Sequence, residues 1–167
     1  MADFIVPAIV LVAGALATVI DVRVRRVPNA LTMTVASVGL MLAMGGQSEL
    51  TLGNALAGLA LGLAVMLPGH VLGATGAGDV KLVAAFGTLL GPAGILGAFI
   101  RMAIAGGVIA LMVAVSRGRL RDTLDGTALL IVTKGQAASV ISDAAVNNRF
   151  PYAPAIAIGA AMMVLGW

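Results

Sequence analysis

Long apolar runs, separated by only a few polar residues each, leave this chain little choice but to fold inside a lipid bilayer. Of its 167 residues, 60% are hydrophobic and 10% are charged, with a mean hydropathy of +1.10. Soluble domains carry about 25% charged residues. A helical span takes about 20 apolar residues, so about six spans with short loops consume nearly the whole chain. The expectation is an all-α membrane protein of about six transmembrane helices. Residues 1–167 would form a single membrane-embedded domain, with no separate soluble domain.

The first span covers about Phe4 to Ile20 and ends on Asp21, followed by Arg23, Arg25 and Arg26. Basic residues concentrate in cytoplasmic loops, so this end faces inward and the N-terminus lies outside. The second span covers about Ala30 to Met44, and Gly45-Gly46-Gln47-Ser48-Glu49 turns on the outside. The third runs from Leu50 to about Leu67, where Pro68-Gly69 ends it. The fourth starts after Asp79 and reaches Leu90, Gly91-Pro92 forms a turn, and the fifth runs from about Ala93 to Val115. Between Ser116 and Arg149 the chain is more polar, yet Leu120, Leu124, Ala128 and Ile131 recur at helical spacing. That pattern suits an amphipathic helix on the cytoplasmic surface, between spans five and six. The last span starts at Phe150-Pro151-Tyr152-Ala153-Pro154 and runs to Trp167, whose indole suits the outer interface.

On this path Arg23, Arg25, Arg26, Lys81, Arg117, Arg119, Arg121, Lys134 and Arg149 all fall inside, and only Arg101 does not. The net charge of +3 therefore reads as membrane orientation, and neither a nucleic acid nor a nucleotide partner is expected. The basic cluster follows the first apolar run, the reverse of a cleavable signal peptide, so that run is read as a permanent span. With no cysteine there is no disulfide, thiolate metal site or cysteine nucleophile. Gly53, Gly58 and Gly62, among many alanines, point to close helix packing. The nine methionines are scattered and read as packing.

One stretch carries the chemistry. Gly76-Ala77-Gly78-Asp79-Val80-Lys81 sets a carboxylate against apolar runs, and an ionisable residue there marks a functional site by default. The stretch reads as a loop inside a bundle, its glycines free to turn and to let a second chain come close. Asp21 stands at the same inner depth on another helix. Two such carboxylates suit an aspartyl protease, in which an ionised acid takes a proton from water and a protonated partner polarises the scissile carbonyl. The alternative for Asp21 is that it caps a helix end or pairs with Arg25. Lys81 either snorkels to the headgroups or orients an acidic feature of a substrate. His70 is read as a satisfied interfacial residue beside the site, and Arg101 as snorkelling outward or binding an internal acid. With one histidine and one glutamate, no His-Glu-x-x-His zinc site can form, and no metal or other cofactor is expected.

Together these residues resemble the type IV prepilin peptidase family, bacterial relatives of the Gly-x-Gly-Asp intramembrane aspartyl proteases. Gly76 to Leu82 is similar to the family's second motif. Asp21-Val22-Arg23-Val24-Arg25-Arg26-Val27-Pro28-Asn29 is similar to its first, with valine at 27 where isoleucine is usual. Pro151 to Gly159 resembles the family's last span. The resemblance implies cleavage of prepilins at the cytoplasmic face of the inner membrane, after a glycine that precedes the pilin's apolar segment. Asp21 and Asp79 would be the catalytic pair, with Gly76, Gly78 and Lys81 shaping the loop or binding substrate. The chain lacks the cysteine-bearing cytoplasmic domain of long members that accompanies N-methylation, and looks most like the short enzymes of Tad/Flp pilus systems. Two other readings fit buried carboxylates: a small proton-coupled transporter or channel, and a non-enzymatic subunit of a pilus machine.

Overall fold

The computed structural model describes residues 2–73, 75–116 and 152–166. Within them run five α-helices: α1 Ala2–Val24, α2 Asn29–Met44, α3 Leu52–Val71, α4 Ala77–Ser116 and α5 Ala153–Val164. No strand occurs among the described residues. Three stretches, Phe4–Val24, Leu52–Val71 and Ala77–Val113, are long and apolar enough to cross a membrane. The apolar helices α2 and α5 are shorter, about 24 Å and about 18 Å from end to end, against a hydrocarbon core of about 30 Å. The expected surface helix after Ser116 lies outside the described residues.

The broken helix α4 organises the bundle and touches each of the others. Gly91 interrupts it with φ 68° and ψ −178°. The positive φ is open to glycine, the extended ψ suits the residue before a proline, and Pro92 then starts the next arm without needing a donor. On a straight helix Val83 and Met102 would stand about 28 Å apart. Here Val83 and Phe86 line one small void with Ile95, Ala98, Met102 and Ile156 of α5, so the chain folds back at Gly91. The turn expected at Gly91-Pro92 is therefore where the helix breaks. Leu82, Phe86 and Ile95, all essentially inaccessible, form the core between the two arms.

Elsewhere the helices overrun their sequence-based ends. Pro68-Gly69 does not end α3, which continues to Val71, and the Leu72 N–H still reaches the Pro68 carbonyl at 3.1 Å. A proline lacks only its own N–H; in apolar surroundings the donors after it are best satisfied by continuing the helix. Likewise α1 passes Ile20 and Asp21 to reach Val24.

Small residues set how closely the helices approach. A Cβ on Gly58 would run into the Gly87 carbonyl, and one on Gly87 into that of Gly58, so the backbones of α3 and α4 touch directly. Gly62 meets Ala84 in the same way, whereas Gly53 faces open space apart from Thr51. Gly159 of α5 sits on Ala98 and Met102 of α4, and Gly14 of α1 on Ala157 of α5. Without a hydrophobic force between helices in lipid, such contacts supply the van der Waals attraction that assembles them. Outward faces carry large apolar side chains instead, among them Met33, Met44, Val71 and Ile104. We expect Gly58→Ala to destabilise the bundle by about 1–3 kcal/mol or more through overpacking, measured as thermal unfolding in detergent. Gly107→Ala, whose Cβ would meet nothing within 4 Å, should leave the midpoint unchanged or raise it.

Candidate active site

Asp21 occupies the last turns of α1, which closes through an Arg25 N–H to the Asp21 carbonyl at 2.7 Å, with Arg25 in the left-handed region at φ 54°. Its side chain is only 6% exposed. A carboxylate so buried needs a partner. It finds one at the far end of the chain, where the Ala153 N–H donates to Asp21 Oδ2 at 3.2 Å. Ala153 opens α5, its N-cap Tyr152 makes no side-chain cap bond, and a proline follows immediately. Asp21 thus takes an orphan donor of α5 and sets negative charge at that helix's positive end. Of the two bland roles for Asp21, capping is the one observed, and the helix capped is the last in the chain.

Asp79 stands in the first turn of α4, not in a loop as the glycine pattern suggests. Gly76 is the cap: its carbonyl accepts from the N–H groups of Asp79 and Val80 at 3.1 and 3.2 Å. Asp79 Oδ2 returns the favour, accepting from the Gly76 N–H at 3.1 Å. This is half of a capping box, which holds the carboxylate back over the start of its own helix. Gly78 does let a second chain come close, and that chain is this protein's own Val27, whose Cβ and backbone lie 3.1–3.3 Å from where a Gly78 Cβ would be. Lys81 turns away from Asp79 and donates to Asn29 Oδ1 at 2.9 Å. These two contacts join the segment after Asp21 to the turn carrying Asp79. His70 supports the approach to α4: its Nδ1 lies 3.0 Å from the Thr75 carbonyl, while the Thr75 N–H reaches Gly69.

The Gly78–Val27 and Lys81–Asn29 contacts therefore bring the two carboxylates to one end of the bundle. One ionised and one protonated acid can together draw a proton from water and hydrogen-bond a carbonyl. Among the described residues no group of three or more histidine, cysteine, aspartate or glutamate side chains could hold a metal ion. Arg101 stands apart from this end, with Nη1 donating to the Gly97 carbonyl at 3.1 Å and reaching Met163 Sδ at 3.6 Å.

Residues 8–111 match the model of the type IV leader peptidase family. The chain belongs to that family. Its members are peptidases, hydrolases that act on prepilins. No curated protein and no solved structure matches the chain. Both aspartates of this leader peptidase, with the Gly78–Val27 and Lys81–Asn29 contacts that join their segments, fall inside the matched residues. Helix α5 lies beyond them.

Two residues of the candidate site have contacts that the sequence does not reveal. Asn29 ends the first motif and looks like an ordinary helix start, and Ala153 has no functional side chain at all. The signal for Ala153 is indirect: a proline one position into an apolar helix whose cap residue is tyrosine leaves an N–H that some distant acceptor must take. The Asp21–Ala153 bond predicts a split between two variants. Asp21→Asn keeps a carbonyl oxygen for the Ala153 N–H and should unfold close to wild type in detergent. Asp21→Ala strands that donor and should cost about 1–3 kcal/mol.

Proposed function

We propose that this leader peptidase is a membrane aspartyl endopeptidase that removes the basic leader from type IV prepilins of the Tad/Flp kind, cutting after a glycine at the cytoplasmic face of the inner membrane. Asp21 and Asp79 are its catalytic pair, working without a metal or other cofactor. The observation that carries this reading is that two acids from distant parts of the chain lie on segments packed together at one end of the bundle, one nearly inaccessible and both held by backbone N–H groups. A carboxylate at a membrane boundary is costly, and two at the same place are costlier still. Hydrolysis uses that arrangement: one carboxylate takes a proton from water as the oxygen attacks, and the other, protonated, hydrogen-bonds the carbonyl that receives it.

The basic residues around this end give the orientation. Arg23, Arg25 and Arg26 follow Asp21 directly, and Lys81 follows Asp79, so the positive-inside rule turns the acidic end toward the cytoplasm. A prepilin with its apolar segment in the bilayer and its basic leader in the cytoplasm presents the bond between them at this depth. A proton pathway, by contrast, calls for carboxylates at successive depths, and these two share one end. Within this mechanism Gly76 and Gly78 serve loop and helix-start geometry, and Lys81 anchors α4 to Asn29, which leaves substrate contact to the carboxylates and the surfaces beside them.

The test is cleavage of a prepilin that carries a glycine before its apolar segment, co-expressed with wild type, Asp21→Asn or Asp79→Asn and read by gel shift. Wild type should process it, and each variant should leave it whole while inserting in the membrane at normal levels. Full processing by either variant would remove that aspartate from the mechanism.

A further inference from the structure

The turn between α3 and α4 is pinned at one peptide group. Past the end of α3 the chain reverses at Gly73, with φ 74°, whose N–H donates to the His70 carbonyl at 2.9 Å. Thr75 then lies back over the end of that helix. Its N–H donates to the Gly69 carbonyl at 3.2 Å, and its carbonyl lies 3.0 Å from His70 Nδ1. Gly69 leaves room for this return, since a Cβ there would come within 3.3 Å of the Thr75 side chain. A carbonyl can only accept, so Nδ1 is the ring nitrogen that carries the proton in this contact.

The carbonyl that His70 holds belongs to the same peptide group as the Gly76 N–H, and that N–H donates to Asp79 Oδ2 at 3.1 Å. One planar group therefore links imidazole to carboxylate, with a hydrogen bond at each edge. The link acts in two ways. Because the plane is rigid, His70 fixes the direction of the Gly76 N–H, which by engaging Oδ2 sets the rotation of the carboxyl group and so where Oδ1 points. A donor on the amide oxygen also polarises the amide, which makes its N–H a stronger partner for the carboxylate. His70 stands in the last turn of α3, so the orientation of Asp79 is tied to a helix other than the one that carries it.

We propose that His70 is a positioning residue of the peptidase, holding the Asp79 carboxyl group in its working orientation through the Thr75–Gly76 peptide. The proton on Nδ1 is spent on the Thr75 carbonyl, and the transfers of hydrolysis run between water and the carboxylates. Such transfers need the acid within hydrogen-bond reach and correctly aimed, so a carboxyl group free to rotate is a slower catalyst. This inference rests on the peptidase reading above and gives His70 its place in it.

The experiment measures kcat and KM of the full chain in detergent, referred to folded protein, on a peptide with a basic leader, a glycine and an apolar segment. The Gly76 amide proton is followed in parallel by NMR of isotope-labelled protein. His70→Leu removes the donor and should lower kcat about tenfold, the scale of one lost hydrogen bond, with KM unchanged. The Gly76 signal should move upfield as its bond to Asp79 weakens. His70→Asn places its side-chain N–H₂ near the position of Nδ1 and should restore both readouts. Wild-type kcat or an unmoved Gly76 signal in His70→Leu, a loss carried by KM alone, or a His70→Asn variant as impaired as His70→Leu would each overturn the proposal while leaving the peptidase reading intact. If wild type cleaves no better than Asp79→Asn, the peptidase reading itself fails, and this proposal with it.

Discussion

The bond from the Ala153 N–H to Asp21 joins the last described helix to the first, and the site depends on it. Each partner needs the other. A carboxylate that is nearly inaccessible requires a donor, and a helix that begins with a proline and a tyrosine cap has an N–H to give. Their union satisfies two costs of an apolar interior at once. It also fixes where α5 starts.

Around that bond, glycines decide distances. Gly58 and Gly87 bring α3 and α4 to backbone contact, Gly91 lets α4 fold back, and Gly78 admits Val27 beside the turn that carries Asp79. Each has a different physical reason: a close approach, a positive φ, and room for a neighbouring strand of chain. The consequence is shared. The helices pack tightly at their small faces, and the acids of α1 and α4 are delivered to one end with little freedom to drift.

Much of this was legible beforehand. The apolar runs and their breaks located all five described helices, because lipid leaves the backbone no alternative to internal hydrogen bonding. Gly91-Pro92 announced the break in α4, and the charge at Asp79 drew attention to the candidate site. Helix ends were less legible. Pro68 reads as a stop and is not one, and Gly76-Ala77-Gly78 reads as a loop although only Gly76 lies outside the helix. Glycine and proline weaken a helix locally, but the lack of water to take up freed donors outweighs that weakness.

The sequence by itself determined that this chain lives in a membrane, that it is built of helices, that Asp21 and Asp79 are its unusual residues, and that it resembles the family it belongs to. Those properties follow from local composition and from short motifs. Tertiary structure alone decided which distant partners these residues take: Ala153 for Asp21, Asn29 for Lys81 and Gly106 for the ring of Tyr152. These pairings span stretches of chain that no local pattern connects. They arise because packing small residues against one another fixes the helices first, and the buried polar groups must then be satisfied by whatever that packing brings within reach.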